Sequence, residues 1–345
     1  MLTIALDAMG GDRAPGMVLG AIEIALRTHK DVRFLLFGDE ALVSPVLDLM
    51  PARVREAIEF IPTQEVIGPD VKPSAAVRGY RQSSMYLAIR SVVDGKADGV
   101  VSAGNTGAYM ALSMLNFRTV ADIARPAIAT LIPTMKGASV MLDLGANVSC
   151  DGQNLVQFAV MGSVFAKLTL GIQNPSIGLL NIGSEDVKGH EVIKEAARIL
   201  KQADHLNFVG FVEGDDIAKG TVHVVVADGF TGNVALKTAE GVARMFATFV
   251  RDAFQTSWLS KIGYLLAKGP FEKVKKRLDP RMHDGAIFIG LKHVAIKSHG
   301  GTDAVGFANA IGVSINTLKS QVNTLIVDEL SQVVQDVPSA EVNPS

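Results

Sequence analysis

The sequence predicts an α/β fold: a mainly parallel sheet with helices on both faces. Short apolar runs rich in β-branched residues alternate with longer segments of helical period along most of the 345 residues. Six of the runs end in loops built from Gly, Asn, Asp, Ser and Thr, as strand-to-helix turns in such sheets do. With 48% hydrophobic and 20% charged residues, the chain has material for a large core.

Taken in order, strands are predicted at 3–7, 32–38, 58–61, 99–102, 127–132, 139–144, 177–182, 207–212, 222–227 and 294–297. Each is a short apolar run bounded by turn residues. Helices are predicted at 17–28, 75–93, 107–117, 154–170, 191–202, 234–254 and 303–330, where apolar residues recur at three- and four-residue spacing. No fixed-period repeat and no low-complexity linker divides the chain. Residues 1–335 therefore read as one catalytic α/β unit, and 336–345, with Pro338 and Pro344, as a mobile tail.

Composition excludes several classes. A formal charge of −2 is too balanced for a surface that tracks nucleic acid, so no nucleic-acid partner is expected. The lone Cys150 allows neither an internal disulfide nor a cysteine-rich metal site, which fits a reducing cytoplasm. The opening Leu2-Thr3-Ile4-Ala5-Leu6-Asp7 reads as a strand, without the basic start of a signal peptide. No apolar run approaches the ~18 residues of a membrane span, so a soluble chain is expected.

The six loops are Asp7-Ala8-Met9-Gly10-Gly11-Asp12, Ser102-Ala103-Gly104-Asn105-Thr106-Gly107-Ala108, Asp143-Leu144-Gly145-Ala146-Asn147, Asn181-Ile182-Gly183-Ser184, Asp228-Gly229-Phe230-Thr231-Gly232-Asn233 and Lys297-Ser298-His299-Gly300-Gly301-Thr302-Asp303. Ligands of open α/β sheets sit beyond the carboxyl ends of strands. Glycine admits close backbone approach, Asn and Thr add hydrogen bonds, and a following helix N-terminus suits an anion. Any one loop is equally a plain tight turn. All six in the same strand-end position favour a composite phosphate site. No Walker-type lysine loop or spaced dinucleotide fingerprint is present, so neither nucleoside triphosphate nor NAD is expected as a cofactor. No histidine spacing of the His-Glu-x-x-His kind occurs, and no metal is expected.

Five of these segments, with Lys297-Ser298-His299-Gly300 for the last, resemble the signature segments of the acyl carrier protein–phosphate acyltransferases of phospholipid synthesis. The resemblance runs in the same order from Leu2 to about Ile311. It implies an isocitrate/isopropylmalate dehydrogenase-like fold, also related to phosphotransacetylases, and a homodimer. It further implies peripheral membrane contact and a product handed to a glycerol-3-phosphate acyltransferase. The 181–189 segment departs, with Ser184 and Asp186 where the family has Glu; Lys188 still matches.

On this reading Lys188 and Asn233 are the candidate catalytic residues, neutralising phosphate or the developing oxyanion and donating a hydrogen bond. Asp7, Gly10, Gly11, Gly104, Asn105, Thr106, Gly107, Asn147, Gly232 and His299 are the candidate substrate- and phosphate-binding residues. Lys188 is alternatively a solvated lysine, and Asn233 a helix-start residue. Asp143 and Asp228 read as caps that hold their loops. Cys150 invites an acyl-enzyme reading, but no histidine adjoins it, and a small buried cysteine is the better reading.

Residues 251–281 carry eight basic residues against three acids, a net of +5 that leaves −7 for the remainder. Phe254, Trp258, Ile262, Leu265 and Leu266 recur there at helical spacing, so a protruding amphipathic helix is predicted. Trp258, Leu265, Lys268, Lys275, Lys276 and Arg277 are the candidate contacts to an anionic membrane or to acyl carrier protein; packing on the domain or across a dimer is the plainer alternative. An acyl-coenzyme A phosphate acyltransferase, a decarboxylating dehydrogenase and a non-catalytic lipid-binding scaffold are the competing functions.

Overall fold

A computed structural model describes residues 1–277 and 279–336. In chain order the elements are β1 (Leu2–Asp7), α1 (Gly16–Thr28), β2 (Val32–Gly38), α2 (Glu40–Leu47), α3 (Ala52–Arg55), β3 (Ile58–Pro62), α4 (Pro73–Gly79), α5 (Ser84–Val93), β4 (Gly99–Ser102), α6 (Thr106–Phe117), β5 (Ala127–Thr134) and β6 (Gly137–Leu142). There follow α7 (Gly152–Leu170), β7 (Ile177–Leu180), α8 (Glu191–Leu200), β8 (Phe208–Val212), α9 (Gly214–Lys219), β9 (Val224–Val226), α10 (Gly229–Gln255), α11 (Trp258–Arg277), a 3-10 turn (Pro280–His283), β10 (Ala286–Ile289), β11 (Val294–Lys297), α12 (Ala304–Lys319) and α13 (Val322–Asp336).

The strands form one 11-stranded sheet in the order β3-β2-β1-β4-β11-β10-β5-β6-β9-β7-β8. Neighbours are parallel except at β11–β10, β10–β5 and β5–β6. Those three reversals turn the second half of the sheet against the first. The carboxyl ends of β1, β4 and β11 therefore lie at one sheet edge, and those of β6, β7 and β9 at the opposite edge.

Period-2 alternation sorts side chains between the faces. Ile4, Leu6, Val101, Val294 and Ile296 face the layer of α1, α7, α8, α12 and α13. Ala5, Val100 and Ala295 face the layer of α4, α5 and α6, where Ala235 and Leu236 of α10 also pack. By the same alternation Asp7, Ser102 and Lys297, each two residues further on, point into that second layer. Both layers are largely apolar behind them, with Phe34, Phe158 and Phe307 buried on one side and Tyr109, Phe117 and Phe288 on the other.

Five expectations need correction. The helix predicted over 75–93 is two, because the chain turns after Gly79 and Ser83 caps a new helix by accepting the Tyr86 N–H at 3.2 Å. The helix predicted over 303–330 also breaks, at Gln321, whose φ is 53°. Strand β10 was not predicted, although its apolar run is as long as those of β4 and β11. Helix α10 begins at Gly229 rather than 234, because Asp228 accepts the Thr231 N–H at 2.8 Å. The basic amphipathic segment is helical, shared between the end of α10 and α11, with Phe254 packed on Tyr264 and Phe271. Of the tail predicted at 336–345, Asp336 instead ends α13; residues 337–345 and the side chains of Lys275, Lys276 and Arg277 lie outside the described residues.

Candidate active site

The loops after β1, β4 and β11 interlock. Asp7, 2% exposed, accepts the Met9 N–H at 3.1 Å, the Ser84 hydroxyl at 2.6 Å and the Ser102 hydroxyl at 2.7 Å. Burial pushes its carboxyl above the usual range, and these donors only partly offset that. A side chain at Gly10 would meet the Gly104 nitrogen at 2.6 Å and the Asp7 carboxylate at 2.8 Å, so only glycine lets these two loops approach. The Asp12 N–H donates to the Gly300 carbonyl at 2.9 Å, joining the third loop.

Asn105 caps α6 by accepting the Ala108 N–H at 3.0 Å. Its amide nitrogen donates to the carbonyls of Gly68, Pro69 and Val71 at 3.2, 2.8 and 2.9 Å. Asn105 thus pins the 68–71 segment, while Thr106 and Gly107 form the first turn of α6. Asp284 accepts the Ser298 hydroxyl at 2.9 Å and the His299 N–H at 3.0 Å. The exposed His299 ring accepts the Gly301 N–H at Nδ1.

Lys297 is 8% exposed, and its ammonium donates to the Ser298 carbonyl. Burial lowers its pKa to about 8; Asp284 and Asp7 oppose that drop, and Lys237 adds to it. Residue types alone did not single out Lys297 as a site residue, nor Ser84 or Asp284. The available signal was a lysine at an inward position of the otherwise apolar Val294-Ala295-Ile296 strand.

The second group centres on Asp143, fully buried. It accepts the N–H groups of Ile128, Gly145, Ala146 and Asn147 and the Asn147 side-chain amide, at 2.7 to 3.2 Å. Asn147 also donates to the Pro126 carbonyl at 2.8 Å, and the Gly229 N–H donates to the Asn147 carbonyl at 2.7 Å. Gly232 is buried with its α-carbon against the Asp143 carbonyl, where any side chain would overlap it. Asn233 is exposed beside Gly145 and makes no hydrogen bond through its amide among the described residues. Lys188, exposed, folds over Gly183 and pairs with Glu185 at 2.8 Å; that hydrogen bond raises its pKa.

Cys150 is half-buried. Burial, then the charges of Asp143 and Asp228, push its thiol up to about 11, which removes the thiolate that an acyl-enzyme would need. Among the described residues no group of three His, Cys, Asp or Glu side chains is placed to hold a metal ion.

Six loops at one shared edge is thus not what the chain builds. Asp7, Gly10, Gly11, Gly104, Asn105, Thr106, Gly107 and His299 lie at one edge; Asn147, Lys188, Gly232 and Asn233 lie at the other. Helix α10 links the two. Asn233 and Lys237 are four residues apart on one side of it, and the Lys237 charge reaches Lys297. Strand twist accumulates at roughly 20–25° per step, about 100° or more from β4 to β9, which swings the second set of loops out of line with the first.

This architecture is that of the phosphotransacylase and dehydrogenase class of α/β folds. A phosphotransacetylase from Streptococcus pyogenes superposes with a TM-score of 0.60 at 17% identity, over 92% of this chain and 94% of its own. A 4-hydroxythreonine-4-phosphate dehydrogenase from Klebsiella pneumoniae gives 0.52 at 12% identity, over 92% and 98%. The sequence is more specific. Residues 2–325 match the fatty acid synthesis protein family, and the chain belongs to it. A relative from Rhodospirillum rubrum, named phosphate acyltransferase, is 52% identical over 339 residues, 98% of this chain and 97% of its own length. The chain is accordingly an acyltransferase.

Proposed function

We propose that the protein transfers a fatty acyl group from an acyl carrier protein thioester to inorganic phosphate, giving an acyl phosphate for membrane phospholipid synthesis. One observation carries this reading: the glycine-lined loops of β1, β4 and β11 meet at one sheet edge, where the ammonium-bearing Lys297 is buried at the end of β11, an environment suited to a small anion. A phosphate oxygen forms the new bond to the thioester carbonyl carbon, the C–S bond breaks, and the departing thiolate takes up a proton from solvent. Phosphate is already ionised near neutrality, so positioning and electrostatic stabilisation supply the catalysis.

Asn233, with an uncommitted amide, donates to the developing oxyanion, and Lys188 supplies positive charge on release from Glu185; both would reach the acyl carbonyl from the second edge, which α10 joins to the first. Gly10, Gly11, Gly104, Thr106, Gly107 and His299 cradle the phosphate. Asp7, Asn105, Asn147 and Gly232 hold the loops in shape. The test is to mix protein, acyl carrier protein thioester and phosphate and look for acyl phosphate by mass spectrometry, with acyl-coenzyme A as a parallel donor. Product from coenzyme A alone transfers the proposal to the other donor, and no product from either refutes it.

Two exposed apolar stripes support the remaining partners. On α10, Val242, Met245, Phe246 and Phe249 follow helical spacing and fit a second copy of the chain in a homodimer. On α11, Trp258, Leu259, Ile262, Leu265 and Leu266 are exposed near Lys261 and Lys268, and fit a peripheral contact with an anionic membrane, close to a glycerol-3-phosphate acyltransferase that takes the product. No helix among the described residues is long and apolar enough to cross a membrane. Vesicle flotation of Leu265→Glu checks the second assignment; retention of full binding overturns it.

A further inference from the structure

Asp7, Ser102 and Lys297 form a polar row across three adjacent parallel strands. Lys297 lies directly opposite Ser102 in the β11–β4 ladder, and the Ser102 hydroxyl donates to Asp7. All three end their strands on the same face. The order β3-β2-β1-β4 places a topological switch between β1 and β4, the position where open α/β sheets bind ligands. The row therefore underlies that crevice, beneath the Gly10 and Gly104 backbone.

The charge in this row is not internally settled. Asp7 is occupied by two hydroxyls and a backbone N–H, and Asp284 by a hydroxyl and a backbone N–H. Among the described residues the three-donor ammonium of Lys297 makes one hydrogen bond, to a carbonyl. A buried ammonium without a close carboxylate is costly unless a ligand completes it. Asp284 and Asp7 favour the Lys297 charge, while Lys237 of α10, half-exposed and resting on Glu240 at 3.0 Å, disfavours it. The Lys297 ammonium, buried with a single hydrogen bond, keeps donor capacity that an anion can take up.

We infer that the phosphate co-substrate is seated on the Lys297 ammonium, beside the β4 and β11 loops, with Lys237 of α10 as the outer cation. This rests on the proposed phosphate chemistry, and it makes Lys297, rather than the exposed and paired Lys188, the principal phosphate ligand. Asp7, Asp284, Lys237, Tyr109 and His299 are the charged and titratable groups around it. Since burial sets the Lys297 pKa to about 8, the ammonium is present below that pH and lost above it. Phosphate affinity falls as pH rises through about 8.

The experiment varies phosphate at fixed thioester. Lys297→Met raises the phosphate KM roughly tenfold to a hundredfold, the loss expected for hydrogen bonds to a charged group, while the thioester KM stays put. Lys237→Met raises it by roughly threefold. Lys297→Arg keeps its charge and abolishes the alkaline fall in phosphate kcat/KM. An unchanged phosphate KM in folded Lys297→Met overturns the assignment. Should that variant fail to fold, an unaltered alkaline limb in Lys297→Arg together with an unchanged KM in Lys237→Met does the same. If the wild type forms no acyl phosphate from any thioester, the proposed function fails separately. Calorimetric titration with inorganic phosphate then decides the seat, by comparing the wild type with Lys237→Met: equal affinity overturns it, and weaker binding by the variant upholds it.

Discussion

Asp7 and Asp143 occupy equivalent places, each at the carboxyl end of a buried strand and each opening a loop rich in Gly and Asn. Their surroundings differ. Asp143 gathers five hydrogen bonds, four from backbone N–H groups of its own loop and the facing strand. Asp7 gathers three, two of them from side chains on other elements, and has the Lys297 ammonium within electrostatic reach. The first arrangement fixes a fold; the second leaves charge for a ligand. Similar loop composition thus serves two ends, and what separates them is whether the polar groups are spent on one another.

The largest expected effect breaks the structural half. Asp143→Ala removes the acceptor of five hydrogen bonds, three buried and two part-buried, and should cost at least about 3 kcal/mol in urea unfolding. A cost under about 1 kcal/mol would remove the hub role. Asn233→Ala tests the exposed side of the same group. It should lower kcat roughly a hundredfold to a thousandfold, about 2.7–4 kcal/mol of barrier, yet leave the unfolding midpoint within experimental error, because the side chain is exposed. A variant with wild-type kcat would confine catalysis to the β1, β4 and β11 loops.

Strand direction is why this division was not legible in the sequence. The runs at β1, β2, β4 and β11 announce themselves through continuous apolar composition, and their loops through Gly and Asn. Whether β6 runs with or against β4 depends on β10, a four-residue strand, and on pairings distant in sequence. The site suffers the same blindness. Asn105 and Asn147 carry the residue type of an anion donor, but their amides are committed to the carbonyls of 68–71 and of Pro126. Lys297 becomes conspicuous only once its strand has a partner on each side. Asp228, by contrast, was readable as a cap from its place three residues before Thr231.

Gly10→Ala sharpens the comparison on a smaller scale. Its new methyl would press on the Gly104 nitrogen and the Asp7 carboxylate, costing about 1–3 kcal/mol and weakening phosphate use. Gly137→Ala, at the first residue of β6 with open space around it but a φ of 130°, is the control for backbone strain alone. Equal losses of phosphate affinity in the two variants would show that loop contact at Gly10 is not what matters.

The smallest effect concerns how stability varies with pH. Burial outweighs the hydrogen bonds at Asp7, so its folded pKa lies above the unfolded value of 3.8. The folded state therefore binds this proton more tightly than the unfolded chain does. Ionising Asp7 opposes folding, and its contribution worsens as pH rises from the unfolded value through the folded one. Asp7→Asn keeps an acceptor for one serine and removes the ionisation. Between pH 4 and 7, a range set approximately by these carboxyl ionisations, the variant's unfolding midpoint should decline less, or rise more, than that of the wild type. Parallel midpoint curves would mean that the serine hydroxyls and Lys297 already neutralise the cost of the Asp7 charge. The row would then be balanced without a ligand, and the contrast with Asp143 would rest on geometry alone.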